Sequence, residues 1–144
     1  MKKEPVPTLS VCLRCRDGRE TEYDDVRGGT RLASAICDQA RQQGLEAHLR
    51  GVHCMSQCKR FCTISLTAPG AFTYSFGDLD PEEPAHVQAI LDLLPCYRTA
   101  PEGFLRREQR PEALRSSILS RLPPIGTESD LTTDLHIEGF SESR

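Results

Sequence analysis

The chain has 144 residues, a formal net charge of −3 and 38% apolar residues with no tryptophan. That length holds one domain with a short tail, and the charge excludes a general nucleic-acid binder, which carries a strongly basic face. No run approaches the roughly 18 apolar residues of a membrane span, and the charged start Met1-Lys2-Lys3-Glu4, interrupted by Pro5 and Pro7, lacks the apolar region of a signal peptide. The expectation is a soluble, cytoplasmic protein.

Seven cysteines is a high and odd number for such a chain. Secreted disulfide scaffolds usually carry even counts. In a reducing compartment, clustered cysteines more often mean metal or redox chemistry than structural disulfides.

Thr8 to Leu13 suits a first strand, and it ends in the close pair Cys12-Leu13-Arg14-Cys15. Arg16 to Gly29 is a polar loop. A helix is predicted from Thr30 as N-cap to Gly44 as its terminator, with Leu32, Ile36 and Ala40 as its apolar stripe. Cys37 is expected at the edge of that stripe, as a small buried hydrophobe. Leu45, Ala47 and Leu49 alternate with Glu46, His48 and Arg50, the pattern of a half-buried strand running to Val52.

The loop Cys54-Met55-Ser56-Gln57-Cys58-Lys59-Arg60-Phe61-Cys62 follows, with cysteines at i, i+4 and i+8. Thr63 to Thr67 and Phe72 to Phe76 flank the turn Pro69-Gly70 as a β-hairpin. Asp80-Pro81-Glu82-Glu83 reads as a helix start, Val87, Ile90, Leu91 and Leu94 as its buried face, and Pro95 as its stop. Cys96 then falls just past the helix in a packing role. Leu114, Ile118, Leu119 and Leu122 predict one face of a short helix that packs back on the domain. From Ile125 the sequence is acidic and poor in large apolar residues, the composition of a disordered tail.

The order strand, helix, strand, cysteine loop, hairpin, helix is a thioredoxin-like α/β arrangement, one mixed sheet with helices packed on it. The expected organisation is a metal-binding domain over 8–100, a C-terminal extension over 101–124 and a tail over 125–144.

Convergent thiolates bind soft or borderline metals. A [2Fe–2S] centre needs four thiolates, two for each iron, and Cys12 with Cys15 and Cys54 with Cys58 supply two such pairs. Cys62 is a further metal-site candidate. Alternation with Ile64 and Leu66 points its sulfur toward the core, so Cys15 is expected as the fourth ligand and Cys62 as a supporting thiol beside it. Arg14, Arg16, Lys59 and Arg60 adjoin these cysteines; they either offset the negative charge of such a centre or are ordinary solvated loop charge. His53 adjoins Cys54 as a candidate donor to it, or as a polar loop residue.

Two rival chemistries share these residues. Four cysteines also make a closed tetrahedral Zn²⁺ site, and cobalt is a related possibility for a delivered metal. Thiol–disulfide exchange at Cys12-x-x-Cys15 needs the nucleophile at a helix N-terminus, and Arg16 to Gly29 separates this pair from the helix in sequence. No serine-histidine-acid set, phosphate-binding glycine loop or pair of catalytic carboxylates stands out, so the reading is of an electron carrier or metal binder rather than an enzyme. The partners expected are a redox protein or a metal-handling enzyme, with room for a homodimer and no nucleic acid or membrane.

The segment Cys54 to Cys58, followed by Thr63 to Phe76, resembles the second half of the thioredoxin-like [2Fe–2S] ferredoxins, which include the small clostridial-type proteins and a subunit of respiratory complex I. Cys12 and Cys15 take the place of their first pair. Over Thr8 to Pro124 the chain more closely resembles a bacterial family of predicted metal-binding proteins of unknown function. The segments that carry this are Cys12-Leu13-Arg14-Cys15-Arg16-Asp17-Gly18, Cys58-Lys59-Arg60-Phe61-Cys62-Thr63, Phe76-Gly77-Asp78-Leu79-Asp80-Pro81 and Arg110-Pro111-Glu112. The resemblance implies a ferredoxin-like fold, a metal centre on these cysteines and a link to cobalamin and cobalt-related pathways. The chain departs from the ferredoxins in the tighter spacing of its first pair and in the extra cysteine, Cys62.

Overall fold

Leu9 and Val11 alternate with Thr8 and Ser10, and Ile64 and Leu66 alternate with Ser65 and Thr67, so each strand offers one apolar and one polar face. In the computed structural model, which describes residues 6–126 and 129–139, these segments join a five-stranded mixed sheet. Its strands are β1 (Thr8–Cys12), β2 (His48–Val52), β3 (Ile64–Thr67), β4 (Thr73–Phe76) and β5 (Ile118–Leu122), in the order β2-β1-β3-β4-β5. β1 and β2 are parallel and joined through helix α1 (Gly28–Gln43); β3, β4 and β5 add antiparallel. Helix α2 (Pro84–Thr99) packs beside α1.

Leu9, Ile64, Leu66, Tyr74 and Phe76 from the sheet and Leu32, Ile36, Ile90 and Leu93 from the helices form one buried cluster. Removing one such side chain to alanine costs about 2–5 kcal/mol. On the other face, Ser10, Ser65, Ser75 and Ser120 stand in one row across four strands, and Arg50 Nε donates to Ser10 Oγ at 2.7 Å. The hairpin is as predicted: Ala71 N–H donates to Ala68 O at 3.1 Å across Pro69-Gly70, and Phe72, Tyr74 and Phe76 face the core.

Helix α1 starts one turn earlier than predicted. Arg27 is its cap residue, because the Glu20 carboxylate and the Cys15 carbonyl already accept from the N–H groups of Gly28 and Gly29. Thr30 instead donates its hydroxyl to Leu13 O. Gly44 ends α1 as predicted, in the left-handed conformation that glycine adopts without penalty. Leu45 N–H still bonds back to Ala40 O, so β2 begins only at His48, whose N–H reaches Pro7 O. Cys37 is exposed on the solvent side of α1, not at the edge of its buried stripe.

In α2 the cap is Glu83, which accepts from Ala85 N–H, with Pro84 as the first helical residue. Pro95 does not stop it. Pro95 lies on the exposed face, where water can satisfy the carbonyl its missing N–H leaves free. The next turn is held by buried Tyr97, whose hydroxyl donates to Phe72 O at 2.6 Å. Cys96 is therefore half-buried inside the helix rather than beyond it.

The short helix expected over Leu114 to Leu122 is a strand. Single 3-10 turns at Arg107–Gln109 and Glu112–Leu114 lead into β5, which pairs with the open edge of β4. The spacing of Leu114, Ile118 and Leu122 fits a helix, but an unpaired strand edge offers more hydrogen bonds to an Ile-Leu-Ser-Arg-Leu run than a short isolated helix retains. Of the acidic tail, Glu128 and Glu142 lie outside the described residues, as does the charged start Met1 to Glu4. No helix among the described residues is long and apolar enough to cross a membrane.

Candidate metal centre

Strand direction brings the cysteines together. β1 and β2 run parallel, so Cys12 with Cys15 and the Cys54–Cys58 loop leave the same end of the sheet. β3 runs antiparallel to β1, so Cys62, just before it, enters at that end as well. Cys12, Cys15 and Cys62 are 3%, 4% and 0% exposed, whereas Cys54 and Cys58 are open to solvent.

Cys15 is the hub of the buried set, electrostatically coupled to the neighbouring thiols of Cys62 and Cys12. Its Sγ stands 3.6 Å from Thr63 Oγ1. The Cys62 S–H bond, aided by Thr63 and Cys12 and opposed by burial, pulls the Cys15 thiol down to about 5. The same Cys15 contact, reinforced by burial, holds the Cys62 thiol far above the usual range. Cys62 is fully buried, and of the two thiols Cys15 is the more acidic.

Thr63 also lies between the two cysteine segments, its hydroxyl oxygen 3.6 Å from Cys15 Sγ and 3.9 Å from Met55 Sδ. Within the exposed loop, Ser56 N–H donates to Cys54 Sγ at 3.4 Å. Cys54 (φ 94°) and Ser56 (φ 58°) both sit in left-handed conformations that bend the loop tightly there.

The N-terminus of α1 closes the site from the other side. A Cβ on Gly29 would stand 1.9 Å from the Cys12 carbonyl oxygen, and one on Gly28 would lie 3.1 Å from Cys62 Sγ. Only glycine permits that approach. The separation between Cys12-x-x-Cys15 and the helix is therefore one of sequence alone: Arg16 to Arg27 folds away, and the helix N-terminus packs on the cysteine loop. Its dipole favours negative charge there.

An ion-pair clamp anchors that loop. The Asp17 side chain is 4% exposed, accepts from Arg19 and Arg31, and lies against Gly28. Arg31 also donates to Glu82 at 2.9 Å, and Arg19 to Asp80 at 2.5 Å. Burial works against ionisation of Asp17, yet the Arg19 hydrogen bonds and the Arg31 charge hold its carboxyl below the ordinary range. Sequence reading missed Asp17, Thr63 and the Gly28–Gly29 approach. The visible signals were an acid two residues after Cys15 and a glycine pair at a helix start.

Of the neighbouring cations, Arg60 is committed to Asp78, with contacts from 2.6 to 3.1 Å, while Arg14, Arg16 and Lys59 are solvated. His53 is exposed. Among the described residues, no group of three or more His, Cys, Asp or Glu side chains stands in a geometry that could hold a metal ion. The cysteines are arranged as a buried trio beside an open pair.

Residues 9–124 match the family described as "Protein of unknown function (DUF1636)". The solved structure of a thioredoxin-like [2Fe–2S] ferredoxin from Aquifex aeolicus aligns with a TM-score of 0.50 and 19% identity, covering 86% of this chain and 99% of that one. A 1.5 Å crystal structure of the wild-type thioredoxin-like [2Fe–2S] ferredoxin from Aquifex aeolicus aligns with a TM-score of 0.38 and 14% identity, covering 54% and 77%. The first likeness shows that the fold is thioredoxin-like, of the ferredoxin kind. No curated protein matches the chain.

Proposed function

The chain belongs to the DUF1636 family, whose function is unknown, and on that premise we propose that it is a [2Fe–2S] ferredoxin-like electron carrier, its cluster held by Cys12, Cys15, Cys54 and Cys58. One observation carries this reading: three strand ends deliver five cysteines to a single end of a thioredoxin-like sheet.

The donor set fits the group in chemical type, with paired thiols on two segments that Thr63 links. Its neighbours lower the Cys15 thiol to about 5, the direction that suits a thiolate ligand. Ser56 N–H is aimed at Cys54 sulfur, and hydrogen bonds to the sulfurs are one of the means by which a protein sets a cluster's potential. The cluster supplies one-electron transfer when bound. Cys62 is assigned a supporting role, donating to Cys15 from inside the core.

A second reading, a cysteine-bound Zn²⁺ or Co²⁺ site serving structure or metal delivery, draws on the exposure of Cys54 and Cys58, which suits exchange of an ion with a partner. Purification without oxygen, followed by a visible absorption spectrum and analysis for iron, sulfide, zinc and cobalt, separates the two. Reddish-brown protein with iron and sulfide in equal amounts is expected. A colourless protein with one zinc per site, or a blue-green one with one cobalt per site, overturns the cluster.

A further inference from the structure

Away from the cysteines, the turns before β5 gather positive charge. Arg107, Arg110, Ile118, Leu119, Ser120 and Arg121 line an open depression of about 410 Å³ along the free edge of β5. That volume is within the range of small-ligand sites, roughly 300–1,000 Å³. Leu119 is the extra residue where β5 slips register against Ser75 and Phe76.

Arg110 is 5% exposed, yet among the described residues no carboxylate pairs with it. Its Nε and Nη2 donate to the carbonyls of Leu114 and Arg115, each at 3.0 Å. These two bonds lock the guanidinium plane and leave Nη1 without a protein partner among the described residues. No polar side-chain atom described is both buried and unsatisfied, so Nη1 is reached by solvent. Arg107 is fixed by a bond from its Nη1 to Arg115 O at 3.0 Å, and Arg121 by stacking over Phe104 at 4.9 Å. The remaining acid with a partner on these turns, Glu108, bonds Arg106.

Burial of Arg110 and the charges of Arg107, Arg121 and Arg115 all work against its protonated form. Guanidiniums held this close repel one another, and an anion between them relieves that repulsion. Planar N–H forks match the oxygen spacing of phosphate and carboxylate groups.

We infer that Arg107, Arg110 and Arg121 form a binding site for the oxyanion, phosphate or carboxylate, of a small molecule whose apolar part lies on Ile118 and Leu119. Leu119 and Ser120 also line a cavity of about 150 Å³ with Met55, Gln57 and Thr63, so the bound molecule would lie next to the cysteine end of the sheet. The site needs no metal and stands whether or not the cluster assignment holds.

The test is titration of the full chain with inorganic phosphate and, separately, with acetate, followed through the arginine Nε–H signals in ¹H–¹⁵N spectra. Saturable shifts at Arg107, Arg110 and Arg121 are expected, and the tighter of the two ions names the ligand's oxyanion. Arg107→Gln and Arg121→Gln each alter an exposed side chain and leave the fold intact; each should weaken binding by about tenfold or more, the loss expected for one charge-assisted hydrogen bond. Arg41→Gln, on the exposed side of α1, should change nothing. Shifts that grow without saturating, or an affinity unchanged in both pocket variants, overturn the site.

Discussion

The Thr63 hydroxyl stands 3.6 Å from Cys15 Sγ at the mouth of β3, in a site where the threonine itself is 1% exposed. It is a polar link from the second cysteine segment back to Cys15, 48 residues earlier in the chain. Thr63→Val keeps the shape and deletes the hydroxyl. The variant is expected to fold, to lose about 1 kcal/mol of stability and to release metal to a chelator faster than wild type. Thr63→Ser should restore both. Denaturant midpoints and chelator release rates give the comparison, and identical release by Thr63→Val and wild type would remove Thr63 from the site.

Cys12, Cys54 and Cys58 are needed in either metal reading. Replacing any one with serine is expected to abolish most of the bound metal, measured per folded protein. Cys37 and Cys96 serve as controls. Cys37→Ala alters an exposed side chain and should change stability by less than about 0.5 kcal/mol, while half-buried Cys96→Ala should cost about 1 kcal/mol. Both should keep full metal content. Full retention of metal in Cys58→Ser would sink the proposed ligand set.

Cys15 and Cys62 are neighbours whose titrations depend on one another, so metal content alone is a coarse way to tell them apart. Cys15→Ser is expected to bleach the visible spectrum. Cys62→Ser should keep its shape with a small shift, because it exchanges one donor beside the site for another rather than removing a ligand. A native spectrum in Cys15→Ser with a bleached one in Cys62→Ser would reverse the assignment.

Gly29→Ala probes the contact between α1 and the cysteine loop. Its Cβ would meet the Cys12 carbonyl oxygen at 1.9 Å, and backbone cannot give way as a side chain does. A loss of about 3 kcal/mol or more is expected, at the upper end for overpacking, together with metal loss. Wild-type thermal stability in this variant would show that the helix does not seat on the loop.

The clamp around Arg19 should show in acid. Burial raises the Asp80 carboxyl, but the Arg19 hydrogen bond and charge outweigh it, so its folded pKa lies below the ordinary value. A depressed carboxylate contributes stability in full above its unfolded pKa, about 3.9, and loses it as pH falls through the folded value. Asp80→Asn should therefore be less stable than wild type at pH 6 by about 0.2–1 kcal/mol, the range for a partly exposed pair. That gap should close as pH falls through the depressed folded value. A gap independent of pH would mean that the ion pair contributes nothing.

Local pattern alone determined the core of this fold. Period-two alternation marked β1, β3 and β4, Pro69-Gly70 marked the hairpin turn, and Gly44 marked the end of α1, because each depends on neighbours a few residues away. The spacing of Cys12, Cys15, Cys54, Cys58 and Cys62 made these residues candidates for one chemistry. Only tertiary structure decided which thiols are buried and which partner each one meets. Cys62 meets Cys15 because β3 runs antiparallel to β1, and the α1 N-terminus reaches Cys12 because Arg16 to Arg27 loops out under the Asp17–Arg31 clamp. Likewise Leu114 to Leu122 carries a helical spacing, and the open edge of β4, invisible to any local window, makes its second half a strand. Long-range pairing settles such elements, since the hydrogen bonds that decide them belong to residues far away in sequence.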